Sequence, residues 1–179
     1  MNGGSESLVS DVETLPVGDM AWPRAAQLGL RLRPMDESDL PFLAGLYAST
    51  RTAELAQVPW TEAQKTAFLD MQFRAQHAHY QTNYANALWL VIERGSMSVG
   101  RLYVVRWPRE LRLIDIAMCP DFRGQGAGTA IWFDLFDAAA DKPVTIHVEK
   151  NNPARRLYAR LGFRAIGEHG VYDLLERRP

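Results

Sequence analysis

The chain has one cysteine, Cys119, in 179 residues. That excludes an intramolecular disulfide and a metal site built from cysteine pairs, and it suits a reducing compartment. Net charge is also nearly absent, −1 at neutral pH. The chain therefore lacks the broad electrostatic attraction that nucleic acid or an anionic membrane surface requires. No apolar run approaches the ~20 residues of a membrane-spanning helix. The first residues carry Glu6, Asp11 and Glu13, with neither the basic start nor the apolar core of a secretory signal. The expectation is a cytoplasmic protein with no nucleic-acid or membrane partner. Internal repeats and low-complexity segments are missing too.

What is present is one domain's worth of ordinary globular sequence. Apolar residues make up 47%, enough for a core without staples or metals. Residues 1–28 mix Gly, Ser, Pro and acids without lasting periodicity and read as a flexible N-terminal tail. Residues 29–179 read as a single domain. LRLRPM from Leu30 alternates as a half-buried strand does. Asp36 or Ser38 caps a helix to about Thr50, residues 51–60 form a loop, and Thr61 with Gln64 makes a capping box for a second helix to about Tyr80. ALWLVIE (87–93) and SVGRLYVVR (98–106) read as a hairpin, and LRLIDIAM (111–118) as a third strand. A helix follows from Thr129 to Ala140, then strand VTIHV (144–148) and a short helix from Pro153 to Leu161 that Gly162 stops. Two strands, FRAIG and VYDLLE, close the chain. The order β-α-α-β-β-β-α-β-α-β-β implies a mixed α/β (α+β) sheet with helices on its faces.

The chemistry is concentrated after Met118. A strand, Pro120, then Arg123-Gly124-Gln125-Gly126-Ala127-Gly128 leads into a helix. A helix start offers unpaired N–H groups and the positive dipole end, and glycines let the backbone approach an anion closely. The segment suits a pyrophosphate, although such loops can also be plain tight turns. A Walker loop would need lysine before Thr129. A dinucleotide fingerprint would need glycine at Thr129, or glycine or alanine at Ile131. Glu149, one βαβ step later, is what remains in favour of a dinucleotide-binding protein.

Arg123-x-x-Gly126-x-Gly128 resembles the R/Q-x-x-G-x-G/A motif of the GNAT superfamily of N-acetyltransferases. Asn151 to Phe163, N-N-P-A-R-R-L-Y-A-R-L-G-F, is similar to that family's N-x-x-A-x-x-L-Y-x-x-L-G-F element. The two signatures stand in the family's order, and the resemblance covers Leu30 to the end. It implies the GNAT acyl-CoA N-acyltransferase fold: a central, mostly antiparallel sheet splayed between its fourth and fifth strands and flanked by about four helices. It also implies transfer of acetyl from acetyl-CoA to a primary amine, by direct attack in a ternary complex. The cofactor set it implies is Ile116, Ala117 and Met118 for pantetheine, main-chain amides of Arg123, Gly124, Gln125, Gly126, Ala127, Gly128 and Thr129 for pyrophosphate, and Asn151 and Tyr158 near the thioester. No metal is implied. A homodimer is compatible with the family.

Such a reaction needs a proton donor for the leaving thiolate and a base for the amine. The resemblance gives Tyr158 the first role. For the second, His147 has a suitable unperturbed pKa near 6.5, Glu149 shares its side of the strand, and Asp115 stands within an otherwise apolar strand. Side chains at a sheet end are also commonly just solvated or paired, and a water chain is an alternative base. The family's acceptor is usually covered by the first two helices, where Tyr47, Trp60 and Gln72 are the expected pocket wall; aromatic residues at helical spacing are otherwise core. The acceptor is a small-molecule amine or a peptide or protein amine. The competing function is a non-catalytic acyl-CoA-binding regulatory module, and the presence of Tyr158 favours an enzyme.

Overall fold

The computed structural model describes residues 20–179. Seven strands form one sheet: β1 (Leu30–Pro34), β2 (Leu88–Arg94), β3 (Met97–Arg106), β4 (Leu111–Met118), β5 (Val144–Glu149), β6 (Arg164–His169) and β7 (Tyr172–Arg177). Their order is β1-β2-β3-β4-β5-β7-β6. Every pairing is antiparallel except β4 with β5. The helices are α1 (Pro23–Gln27), α2 (Leu40–Leu55), α3 (Glu62–Asn83), α4 (Ala127–Ala139) and α5 (Arg155–Arg160).

Alternation along the strands sorts side chains to two faces. Leu90, Ile92, Leu102, Val104, Leu111, Leu113 and Ile146 join Ile131, Trp132 and Leu135 of α4 and Tyr158 of α5 in the main core. The other face carries Val91 against Leu43, Tyr47 and Phe73 of α2 and α3. The mixed sheet between helices is the expected architecture.

Several boundaries differ from expectation, among them α3, which runs on to Asn83, and α5, which starts at Arg155. Helix α2 runs on to Leu55, because Ala53, Glu54 and Leu55 are good helix formers, no stop residue intervenes and Leu55 finds burial. Helix α4 starts at Ala127, with Gly126 as its N-cap. The proposed tail is too long: residues 1–19 lie outside the described residues, but Met20 to Leu28 belong to the packed domain. Helix α1 lies on α4 with Ala25 fully buried. Its anchor is Asp134, whose side chain is inaccessible and accepts the backbone N–H groups of Arg24 (3.1 Å) and Ala25 (3.0 Å) and the Arg24 guanidinium (3.1 Å). A carboxylate at the N-terminus of a short helix satisfies orphan amides and opposes the dipole.

A second charged anchor fixes α2. Arg33 on β1 donates to Asp39 through both terminal nitrogens (2.7 and 2.6 Å) and to Glu93 on β2 through Nε (2.6 Å), and Arg31 adds a 2.6 Å contact to Glu93. Asp39 also completes a capping box with Asp36 just ahead of α2. Hydrogen bonds from Arg33 hold both carboxyls below their usual pKa.

Two outcomes follow. Asp134→Ala orphans the first amides of α1, and should cost about 3 kcal/mol in urea unfolding with an unchanged m-value. Asp39 and Glu93 ionise more readily folded than unfolded, so their contribution is complete above the unfolded-chain pKa of about 4 and is lost as pH falls through the folded values. In Arg33→Met, the urea midpoint should fall less steeply below pH ~4.5 than in wild type.

Candidate active site

The site begins with a missing strand contact. β4 and β5 pair only through Leu111↔Val144, Arg112↔Thr145 and Leu113↔Ile146. Just there, the β3–β4 register slips: Val104 faces Leu113 and Tyr103 faces Asp115, leaving Ile114 without a partner. A bulge bends its strand and raises local twist. Past it, residues 115–118 of β4 and 147–149 of β5 run apart, the splay expected between the fourth and fifth strands.

The splay leaves one edge of β4 bare. The Cys119 N–H donates to the Val99 carbonyl (2.8 Å). By strand alternation, the main-chain groups of Ala117 also point to β3, while those of Ile116 and Met118 point into the gap. Two contacts agree. A Cβ on Gly100 of β3 would lie 2.6 Å from the Ala117 carbonyl, and the Met118 carbonyl accepts Arg123 Nε (2.8 Å). Of the three residues expected to meet pantetheine, Ile116 and Met118 face the opening and Ala117 does not.

Below this edge lies the glycine turn. Gly124 (φ 72°) and Gly126 (φ 84°) are both left-handed, a backbone that side-chain-bearing residues rarely adopt. Gly126 gives α4 no side-chain cap, so the first amides of a 13-residue helix stay available to an anion. Nothing lies within 4 Å of where a Gly124 side chain would begin. Bare amides next to a bare strand edge fit the diphosphate and amide arm of coenzyme A. Arg123 itself turns back: besides Met118 it reaches Ser49 Oγ of α2 (3.3 Å), tying the turn to the helix above.

Tyr158 sits on the main-core side of the splay, packed edge-on to Trp132 and Phe163. Its hydroxyl has no hydrogen-bond partner among the described residues. Burial, then the charge of Asp115, push its pKa up to about 12, so it keeps its proton at neutral pH. Asp115 lies on the opposite face, 18% exposed. Arg101 on β3, itself almost wholly buried, donates to Asp115 Oδ2 at 2.6 Å and to Gln76 of α3 at 3.2 Å. The other carboxylate oxygen has no partner among the described residues.

The other base candidates lie elsewhere. His147 faces Arg112 (Nδ1 to NH1 3.3 Å) beside the paired part of β5, where burial and Arg112 lower its pKa. Glu149 lies farther along, accepting from Arg51 (3.4 Å) and from the Tyr172 hydroxyl (3.3 Å). Tyr47 donates to Gln72 across α2 and α3 (3.1 Å), and Arg51 lies over the Tyr47 ring. Trp60 is apart from these, 40% exposed and edge-on to Phe68. Asn151 is exposed in the turn after β5; its neighbour Asn152 organises the start of α5 by accepting from the Ala154 N–H (2.8 Å). Sequence reasoning missed Arg101 and Tyr172. A charged residue inside the apolar run of β3, one strand from Asp115, was the available signal for the first.

A model of the acetyltransferase (GNAT) family matches residues 50–163, more than half of the chain. The chain belongs to the GNAT acetyltransferase family. Solved structures share the fold. The PaiA N-acetyltransferase of Thermoplasma acidophilum, solved with coenzyme A, has TM-score 0.64 and 13% identity, over 84% of this chain and 99% of that one. An acetyltransferase of Thermus thermophilus has TM-score 0.60 and 19% identity, over 84% and 97%. The HPA2 histone acetyltransferase and related acetyltransferase of Corynebacterium glutamicum has TM-score 0.59 and 20% identity, over 84% and 96%. No curated protein sequence matches significantly.

The turn can be probed directly. Gly126→Val places a β-branched residue at a φ of 84°, where such residues are outliers. We expect coenzyme A affinity by calorimetry to fall at least ~10-fold, about 1.4 kcal/mol, with the far-UV circular dichroism retained. Wild-type affinity would remove this turn from the site.

Proposed function

We propose that this protein transfers the acetyl group of acetyl-CoA to the primary amine of a small molecule, peptide or protein, by direct attack within a ternary complex. The observation that carries the reading is the bare edge of β4 running directly into the uncapped, glycine-lined start of α4. One surface offers main-chain partners to an amide arm and the other offers amides to a diphosphate. The fold neighbour solved with coenzyme A supports this choice of ligand. A soluble cytoplasmic enzyme is part of the proposal.

In this reading the amides of residues 124–129 hold the diphosphate, Arg123 steadies their turn, and the main chain of Ile116 and Met118 aligns the arm. An acceptor approaches from the side of α2 and α3, past Tyr47 and Gln72. Its amine must be neutral to attack. For a lysine-like amine that costs about 4–5 kcal/mol at pH 7. Asp115 is the base we assign, acting directly or through one water. It has an open carboxylate oxygen and stands at the bulge where the strands part. His147 is engaged by Arg112 and Glu149 by Arg51 and Tyr172, the latter two both on Oε1; neither stands at the bulge, and we give them supporting roles.

Tyr158 faces the leaving sulfur. A phenol near 12 is a weaker acid than a thiol near 8.5, so complete transfer to the thiolate is uphill by about 5 kcal/mol. Tyr158 therefore works best as a hydrogen-bond donor to charge developing on sulfur, relaying a proton that the amine finally supplies. Its presence favours an enzyme over a non-catalytic acyl-CoA-binding module.

The test is thiol release from acetyl-CoA over a panel of small amines, aminoglycosides, amino acids and peptides. Turnover with at least one amine is expected, and Tyr158→Phe should lower kcat about 10- to 100-fold with cofactor affinity nearly unchanged. If acetyl-CoA does not bind, the proposal fails. If kcat is unaffected by Tyr158→Phe, the tyrosine loses its role.

A further inference from the structure

The glycine turn has a structural problem of its own. Two left-handed glycines, Gly124 and Gly126, flank a single side-chain-bearing residue, Gln125. Glycine backbones lose more freedom on ordering than any others. A turn that must present several amides to one anion gains affinity if that loss has occurred before the ligand arrives. Arg123 holds the turn from its start; between the two glycines Gln125 is the one side chain that can grip it.

Both ends of that side chain are used. Gln125 Nε2 donates to the Asp121 carbonyl (2.6 Å), and Gln125 Oε1 accepts from Arg94 NH1 (3.0 Å). Arg94 ends β2 and is itself fixed: NH2 donates to the Leu28 carbonyl (3.3 Å), and its guanidinium lies over the Phe122 ring at 5.4 Å. Both terminal nitrogens thus point at protein. Leu28 is 37% exposed and comes within 4.0 Å of the position a Gly126 side chain would take. It follows α1, which Asp134 clamps to α4. The turn is therefore held from behind by two elements outside its own strand–helix connection: the end of β2 and the α1–β1 corner.

We propose that Arg94 is a positioning residue for cofactor binding: through Gln125 it pre-orders the glycine turn, so that its amides already converge before coenzyme A binds. This rests on the acetyltransferase reading for the identity of the ligand. The ordering of the turn does not.

The experiment uses full-length protein with Arg94→Met, Gln125→Met and the double variant. Arg94→Met keeps an apolar stem over Phe122 and loses both hydrogen bonds. Coenzyme A dissociation constants are measured by calorimetry, and amide hydrogen exchange of residues 123–129 is followed in ligand-free protein. Each single variant should weaken coenzyme A about tenfold and speed exchange in the turn about fivefold or more. The double variant should lose clearly less than the sum of the two single losses, because the two residues share the Arg94–Gln125 contact. Unchanged exchange in both single variants overturns the proposal, even if melting temperature falls, since the tie would then be only structural. Additive losses in the double variant overturn it too. If wild type fails to bind coenzyme A, the ligand assignment falls, and the exchange data still decide whether Arg94 orders the turn.

Discussion

The bulge at Ile114 is the constraint on which the rest of the site depends. One residue without a partner turns a continuous sheet into two parts that diverge after Leu113 and Ile146. Had β4 and β5 stayed paired to their ends, the main-chain groups of Ile116 and Met118 would be spent on the neighbouring strand. The divergence leaves them off the neighbouring strand, with the Met118 carbonyl taken by Arg123, and does not expose them broadly, because α2 and α3 cover one face and α4 and α5 the other. Unpaired backbone in such a place is costly unless something takes it up. A ligand with amides spaced along an extended arm is chemically matched to that need.

Charge is distributed in keeping with this. Asp134 and the Arg33–Asp39–Glu93 cluster use nearly buried carboxylates as joints between elements, each with several hydrogen bonds. Arg101 does the same for Asp115, but leaves one oxygen open. The same chemistry is closed where it serves the fold and half-closed where the strands part.

Much of the architecture was legible in sequence. The strands announce themselves by alternation or by apolar runs, and Thr61 with Gln64 does form the reciprocal cap that its spacing suggests. Helix α1 was not legible, because five residues after Trp22 carry too little periodicity and its stability comes from Asp134, more than a hundred positions away. The glycine turn was legible because helix starts and left-handed backbone have distinctive residue demands. The partners of the titratable residues were not. Whether Asp115 meets Arg101, or His147 meets Arg112, depends on strand register, and register depends on a one-residue slip that no local pattern marks. That is why sequence, which favoured His147 over Glu149 and Asp115, could not supply the partners of any of the three.

The short contact between β4 and β5 also has a mechanical consequence. Only three rungs join the C-terminal strands to the remainder of the sheet, and the hydrophobic packing of α4 carries the rest of that load. Among the strand pairings of the described residues, this is the one whose opening breaks the fewest backbone bonds. Anything lodged between the two strands acts as a rivet across it, so occupancy of the cleft and resistance to local unfolding rise together.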